Sequence, residues 1–308
     1  MPRLRIVFAG TPDAAVPSLE RLAGSGHEIV GVVTRPDAPL GRKRVMTPSP
    51  VARAADALAL PVLKTARLDD AATAAIAAWR PELGVIVAYG GLVREPLLSQ
   101  PAHGWVNLHF SLLPAWRGAA PVQRALIAGD ETTGAAVFRL VPELDAGAVY
   151  GTIERATGQA TAGELLARLA DDGAELLERV VDEIAESTAV AEAQEGEPTF
   201  APKLGIDDGR LDWSRPAAEL LARYRGVTPE PGAWTTTDGA RLKVLALAPA
   251  VDAAAPPTTP GTAALDDRRA LVAAADGPLE LLRVQPAGKP AMNGADWLRG
   301  RGGEAVLG

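Results

Sequence analysis

Short runs of apolar residues, five or six residues long, alternate with helix-like segments along the first half of this 308-residue chain. Runs this short and continuously apolar are typical of strands buried on both faces, as in parallel sheets covered by helices. The predicted strands are 4–9, 28–33, 83–88 and 105–109, and the predicted helices are 12–23 and 52–60. The first half is therefore predicted to be an α/β domain with a Rossmann-like, mostly parallel sheet.

The second half of the chain has a different pattern of apolar residues. Residues 161–186 carry apolar side chains at helical spacing, which predicts one long amphipathic helix. The segment 189–205 loses this periodicity and gains glycine and proline, so a linker is expected. We therefore predict a first domain at 1–188 and a second at 206–308.

Beyond residue 205 the pattern is that of a small β domain. A short helix at 216–225 precedes strand-like runs separated by turn residues and by an exposed loop at 252–261. The predicted strands are 232–237, 240–248, 270–275 and 279–284. Many short strands in about 100 residues favour an OB-like β-barrel.

Composition excludes several kinds of chemistry. Cysteine is absent, which excludes disulfides, thiolate nucleophiles and thiolate metal sites. The only histidines are His27, His103 and His109, and their spacing does not match a metal site. His27 and His103 are interpreted as structural and surface residues. A lone Gly10 after the first strand, without a G-x-G-x-x-G motif, makes a nicotinamide or flavin site a minor alternative.

Charge and hydropathy place the chain in the cytoplasm in our interpretation. The net charge of −7 comes mainly from 154–200, where 12 acidic residues face three basic ones. That excess is typical of a solvated helix face and leaves room for a basic patch elsewhere. The first apolar run breaks at Gly10, too soon for a signal peptide, and no segment is long enough to span a membrane.

Asn107 and His109 stand two residues apart at the end of the predicted strand 105–109, so their side chains leave it on the same face. Ligands of such sheets bind at the carboxyl ends of the strands. An amide, an imidazole and a carboxylate such as Asp145 suit acyl transfer to an amine, because they stabilise an oxyanion and manage a proton. From spacing alone, a buried pair satisfied by backbone explains the pattern equally well.

The segment NLHFSLLPAWRGAAPVQRALIAGDETTG, followed by ELDAG, resembles the signature of folate-dependent formyltransferases. The resemblance implies that 10-formyltetrahydrofolate is the formyl donor, that no metal is needed, and that Asn107, His109 and Asp145 form the catalytic trio. It also implies a folate pocket that includes the loop 141–145. The other implied pocket residues are Ser111, Leu112, Leu113 and Pro114, together with the backbone of Val87, Ala88, Tyr89 and Gly90.

The resemblance extends along nearly the whole chain to the branch of the family that acts on tRNA, through FAGTPDAAVPSLERL, RPDAPLGRKRVMTPSPV, FAPKLGIDDGRLDW and QPAGKPAM. It implies that the acceptor is the methionyl α-amino group of initiator tRNA, in translation initiation. We expect a monomer without an obligatory protein partner. The implied tRNA contacts are Arg42, Lys43 and Arg44 in one loop, with Arg42 as the recognition arginine, and Lys203 and Lys243 in the second domain.

Other interpretations stay open at this point. The chain is alternatively a formyltransferase for an amino sugar or small amine, a catalytically silent RNA-binding protein, or a hydrolase of formyltetrahydrofolate. Arg117 is expected to pin its loop rather than to clamp a substrate anion, and Lys289 and Arg301 are weaker candidates for RNA contact.

Overall fold

The structure is a computed structural model that describes residues 2–41, 43–253 and 255–308. Arg42, the predicted recognition arginine, lies outside the described residues. The contacts divide the chain into two compact units. The first comprises the residues up to Pro121, Thr132–Ala156 and Leu166–Ala201, and the second comprises Val122–Glu131, Thr157–Leu165 and Pro202–Gly308. The predicted domain limits at 188, 205 and 206 stay predictions.

The elements follow one another in a clear order. The strands of the first unit are β1 (Arg5–Gly10), β2 (Glu28–Thr34), β3 (Ala38–Leu40), β4 (Val45–Thr47), β5 (Val62–Lys64), β6 (Leu83–Val87), β7 (Trp105–His109), β8 (Arg117–Gly118), β9 (Thr132–Arg139), β10 (Val149–Ala156) and β11 (Phe200–Ala201). The helices of the chain are α1 (Val16–Ala23), α2 (Pro50–Ala57), α3 (Asp70–Ala78), α4 (Pro121–Ala128), α5 (Ala162–Ala185), α6 (Ala217–Gly226) and α7 (Gly294–Arg299). The strands of the second unit are β12 (Trp234–Thr237), β13 (Ala240–Pro249), β14 (Thr262–Asp266), β15 (Arg269–Ala273), β16 (Pro278–Pro286), β17 (Met292–Asn293) and β18 (Glu304–Val306).

The large sheet of the first unit has the strand order β10-β9-β7-β6-β1-β2-β5. Strands β5, β2, β1, β6 and β7 are parallel, while β9 and β10 are antiparallel to their neighbours. The predicted Rossmann-like, mostly parallel sheet is confirmed. Chain order reverses beside β1, so the carboxyl ends of β1, β6 and β7 lie at one edge, where ligands of such sheets bind.

Two glycines in buried strands make room for tryptophans. A Cβ atom on Gly31 of β2 would lie 2.3 Å from the Trp79 ring, and one on Gly84 of β6 would lie 2.1 Å from the Trp105 ring. Each ring therefore lies directly against backbone. The Trp105 indole also donates a hydrogen bond to the Leu97 carbonyl at 2.8 Å. This packing fixes β6 against β7, the strands that carry most of the predicted site.

Local signals explain where helices begin. The long helix predicted at 161–186 is confirmed as α5, and Thr161 and Glu164 cap its start with reciprocal hydrogen bonds. Helix α2 was predicted at 52–60 but begins at Pro50, because the Ser49 hydroxyl accepts the Ala52 amide and proline is favoured in the first turn.

Other boundaries also differ from the sequence prediction. The helix predicted at 12–23 opens with a 3₁₀ turn, Asp13–Ala15, before α1. Helices α3 and α4 and strands β5, β9 and β10 were not predicted. Helix α3 is mostly alanine, so it carries little of the polar and apolar alternation that reveals a helix.

The second unit is a curled antiparallel sheet in the order β12-β13-β16-β15-β14-β18, with β17 paired to β16. Its two ends meet, because Thr236 of β12 and Gly308 beyond β18 exchange backbone hydrogen bonds of 2.9 and 3.1 Å. Trp213, Leu242 and Trp297 belong to its core. The expected small β-barrel domain is confirmed in this half-barrel form, while β14, β17, β18 and α7 were not predicted.

The segment predicted as a linker is bound to the first unit over part of its length. Strand β11 pairs in parallel with β8, and Glu192 exchanges two backbone hydrogen bonds with Val149. These bonds reach residues distant in sequence, so the segment shows no internal period from which a regular element could be predicted.

Candidate active site

Strand β7 brings Asn107 and His109 to the carboxyl edge of the sheet, as predicted. Asn107 lies between Ile86 of β6 and Phe138 of β9, and His109 pairs with Ala136 of β9. Because side chains alternate along a strand, both polar groups emerge on the same face.

The His109 ring is buried, and one of its two nitrogens is already hydrogen-bonded. Its Nε2 lies 2.9 Å from the Trp116 carbonyl, which can only accept, so Nε2 carries a proton. The other nitrogen, Nδ1, lies 3.8 Å from the Asp145 Oδ2 atom. The edge of the ring packs against Phe138, with centroids 6.3 Å apart. When the ring is neutral, Nδ1 is therefore free to take a proton in front of a carboxylate.

Burial and charge act on His109 in opposite directions. Removal from water lowers the pKa of the imidazole, while Asp145 and the hydrogen bond to Trp116 raise it, and the net direction is below the ordinary value of 6.5. We assign a neutral ring at pH 7, because only 6% of the side chain is exposed and burial is the largest cause. A neutral imidazole at this position suits proton acceptance.

The lowered pKa of His109 predicts a pH-dependent stability. The unfolded chain binds a proton at this residue below pH 6.5, whereas the folded chain resists it. The free energy of unfolding should therefore fall as the pH drops from 6.5 through the folded-state pKa, and the contribution should be complete above 6.5. We expect His109→Gln, which keeps a donor for the Trp116 carbonyl, to show a smaller loss in urea unfolding between pH 8 and 5. Equal losses in both proteins would contradict the burial argument.

Asp145 is held in a special backbone conformation. Its φ is +46°, in the left-handed region that non-glycine residues seldom adopt, and its Oδ2 accepts the Gly118 amide at 2.8 Å. Only 11% of its side chain is exposed. A Cβ atom on Gly147 would lie 1.7 Å from the Arg139 carbonyl, so the turn after Asp145 requires glycine.

The Asn107 carboxamide is the free polar group of the site. Its side chain is partly exposed, and within the described residues no protein group hydrogen-bonds to it. A carboxamide that the fold leaves unsatisfied at a ligand-binding edge is available to a ligand, and its N–H groups can donate to a carbonyl oxygen.

The predicted folate-pocket residues lie along the same edge. Val87 and Tyr89 are buried, and the Tyr89 carbonyl already accepts the Thr11 hydroxyl at 3.0 Å, while Ala88 and Gly90 are exposed with φ of +47° and +79°. Main-chain groups at this edge, close to an unsatisfied carboxamide, fit the hydrogen-bonding ring system of a folate.

The second predicted pocket segment follows β7 directly. The Ser111 hydroxyl is buried and donates to the Ala115 carbonyl at 2.5 Å, which closes the turn, and Leu112 packs against Gly134 of β9. Leu113 and Pro114 are half-buried. Ser111 therefore shapes the loop through its own hydrogen bond.

The predicted RNA contacts are basic and exposed. Lys43 and Arg44 lie in the turn of the β3–β4 hairpin of the first unit, and Lys203 and Lys243 lie in the second unit. Of the weaker candidates, Arg301 already makes contacts within the protein, since it pairs with Asp238 and lies over the Trp297 ring.

The remaining histidines lie outside the site. The buried His27 accepts the Leu4 amide at Nδ1 and pairs with Asp182 through Nε2 at 3.0 Å, which accounts for both nitrogens. His103 is exposed before the start of β7, at the opposite end of that strand from His109. Both keep the structural and surface interpretations given to them.

Sequence reasoning missed Gln194. Its carboxamide contacts the turn that carries Asp145 and the guanidinium of Arg117. It lies in the segment predicted as a linker, where no motif or period marks it. The expectation that Arg117 pins its loop agrees with this contact.

Comparison with known proteins identifies the class. Residues 4–181 match the family model for formyl transferase, and residues 203–302 match the model for the formyl transferase C-terminal domain. The chain belongs to the formyl transferase family. It is 63% identical over 298 residues to the methionyl-tRNA formyltransferase of Clavibacter sepedonicus, covering 96% of this chain and 97% of that protein. It is 59% identical to the methionyl-tRNA formyltransferase of Leifsonia xyli, covering 99% and 100%.

Solved structures share the fold at low identity. HypX from Aquifex aeolicus in complex with tetrahydrofolic acid has a TM-score of 0.64 at 15% identity over 96% of this chain, which spans 47% of that longer protein. Methionyl-tRNA formyltransferase from Clostridium thermocellum gives 0.59 at 14%, covering 80% and 93%. An N-formyltransferase from Helicobacter canadensis, in complex with folinic acid and dTDP-3-aminofucose, gives 0.68 at 13%, covering 92% and 99%.

Two further features of the described residues bear on partners. None of their helices is both long and apolar enough to cross a membrane. Nor do their His, Asp and Glu side chains come together in a group of three that would hold a metal ion.

Proposed function

We propose that the chain transfers the formyl group of 10-formyltetrahydrofolate to the α-amino group of methionyl initiator tRNA, as a step of translation initiation. The observation that carries the chemistry is the convergence at one sheet edge of an unsatisfied Asn107 carboxamide and a His109 Nδ1 atom 3.8 Å from Asp145. The acceptor is supported by the identity, over nearly the full length, to methionyl-tRNA formyltransferases.

The donor supplies an activated formyl carbon when it is bound. As the amine attacks, negative charge develops on the formyl oxygen, and the Asn107 N–H groups are the free donors for it. The amine must also lose a proton. His109 is neutral and takes it at Nδ1, and Asp145 stabilises the imidazolium that forms. The proton held at His109 is then available to the leaving nitrogen.

We further propose that the basic residues contact tRNA phosphates. Lys43 and Arg44, which follow Arg42 in the sequence, are exposed in a hairpin whose apolar residues Val45 and Met46 are also exposed. Lysine and arginine contacts with phosphate need only local positive charge, which an acidic protein can provide. Lys203 and Lys243 are proposed contacts of the second unit. The enzyme is proposed to be cytoplasmic and monomeric, without an obligatory protein partner.

A sugar-nucleotide amine is the second candidate acceptor, because an N-formyltransferase crystallised with dTDP-3-aminofucose shares the fold (TM-score 0.68), as does a methionyl-tRNA formyltransferase (0.59). Both likenesses are below 25% identity and concern the fold alone. The acceptor is therefore best decided by experiment.

The deciding assay compares acceptors at fixed 10-formyltetrahydrofolate. We expect rapid transfer to methionyl initiator tRNA, and much slower transfer to elongator methionyl-tRNA and to a dTDP-amino sugar. Replacing Arg42, Lys43 and Arg44 together with alanine should raise KM for tRNA by about tenfold or more, with weaker salt dependence, because phosphate contacts are lost. Preference for the amino sugar, unaffected by the triple replacement, would overturn the tRNA assignment and keep the catalytic trio.

A further inference from the structure

We infer that Gln194 and Arg117 are positioning residues that hold the Asp145 turn in front of His109. This inference rests on the proposed function, since it assumes that Asp145 and His109 act together in formyl transfer. It assigns a role in the reaction to a residue in the segment that the sequence presents as a linker.

The Gln194 carboxamide is fully hydrogen-bonded on both sides. Its Nε2 donates to the Asp145 carbonyl at 2.8 Å and to the Gly147 carbonyl at 2.9 Å. Its Oε1 accepts from Arg117 Nε at 3.1 Å and from Arg117 Nη2 at 2.6 Å. Carbonyls can only accept and a guanidinium can only donate, so this amide orientation alone satisfies all four contacts.

These contacts act on the strained part of the turn. Asp145 has a φ of +46°, and Gln194 binds the carbonyls of both Asp145 and Gly147, which lie on either side of Ala146. A non-glycine residue keeps such a conformation only when its surroundings determine it. The hydrogen bonds from Gln194, which lies outside the turn, hold Asp145 in this conformation.

Arg117 ties the same turn to the loop beside His109. The next residue, Gly118, donates its amide to Asp145 Oδ2 at 2.8 Å, while the Arg117 side chain reaches Gln194. The Arg117 backbone amide in turn donates a hydrogen bond to the Thr199 carbonyl at 2.9 Å. Asp145 is thus held through its carboxylate and through its main chain, and both connections pass through residues 117 and 118.

The charges near His109 define a readout specific for positioning. Asp145 faces the ring at 3.8 Å, and the Arg117 guanidinium is directed to Gln194. Phe138 covers the ring edge and carries no charge. If the Asp145 turn loosens, the His109 imidazole loses a nearby carboxylate, and its pKa moves further down because burial remains.

The experiment compares Gln194→Ala with Glu195→Ala, a change at the exposed neighbouring residue. We expect Gln194→Ala to lower kcat by about 10- to 100-fold, as small misplacement of a catalytic group does, with KM for both substrates changed less than about threefold. In NMR titrations the His109 pKa should fall. Glu195→Ala should match the wild type in every respect.

Gln194→Glu tests the direction of the contact and keeps the side-chain size. A carboxylate still accepts from Arg117 but cannot donate to the two carbonyls, so this variant should lose kcat as Gln194→Ala does. If Gln194→Ala fails to fold, Gln194→Glu is used for the same measurements.

The inference is overturned if the Gln194 variants keep wild-type kcat and His109 titration, or if only their melting temperature changes. That failure is distinguishable from failure of the proposed function. If only the inference about Gln194 fails, Asp145→Asn is still severely impaired. If the proposed function fails, Asp145→Asn retains full turnover.

Discussion

Replacing Asn107 with alanine is expected to lower kcat for formyl transfer by about 10²- to 10³-fold, the range found when one oxyanion donor is removed. The carboxamide has no protein partner among the described residues, so its truncation leaves no buried group unsatisfied. The fold should therefore lose little stability. Because the donor acts on charge that develops only during the reaction, KM for both substrates should change far less than kcat.

The chain offers a matched control, since Asn293 is its only other asparagine. Asn293 caps helix α7 by accepting the Ala295 amide at 2.8 Å. Asn293→Ala should lower the free energy of unfolding by about 1 kcal/mol and leave kcat unchanged, the opposite pattern to Asn107→Ala. Turnover of Asn107→Ala within about threefold of the wild type would contradict the oxyanion role.

The position of the candidate active site at the sheet edge was predictable because it depends on short-range regularities. Short apolar runs identified four of the five parallel strands of the large sheet, and the alternation of side chains put Asn107 and His109 on one face of β7. The convergence of Asp145 on His109 depends on a turn with φ of +46° and on a hydrogen bond from Gly118. Neither is visible in periodicity, so the residues alone offered Asp145 only as a candidate carboxylate, and the family resemblance placed it in the predicted trio.

Gln194 shows where sequence reasoning stops. Its segment has no period and no motif, because most of its side-chain and backbone hydrogen bonds go to residues distant in sequence, such as Val149 and Arg117. The antiparallel strands β9 and β10 were missed for a related reason. Strand β10 is exposed along most of one face, so its sequence does not read as a buried apolar run. Tertiary contacts, rather than local propensity, determine both.

Asp145→Asn removes the negative charge of the Asp145 side chain while keeping its shape. Asparagine can still accept the Gly118 amide, and it tolerates a positive φ, so the turn should persist. The carboxylate that stabilises a protonated His109 is lost, and we expect kcat to fall by about 10²-fold or more. The His109 pKa should move further below 6.5, because its largest raising cause is removed while burial remains.

The acid limb of the pH–rate profile should therefore shift to lower pH in Asp145→Asn, since His109 must be neutral to take the proton. The matched control is Asp182→Asn, which alters the other histidine–carboxylate contact among the described residues, His27 Nε2 to Asp182 Oδ1 at 3.0 Å. That change lies outside the site and should leave both kcat and the profile unchanged. A near-normal kcat in Asp145→Asn, or equal effects of the two replacements, would show that the 3.8 Å approach of Asp145 to His109 has no part in proton transfer.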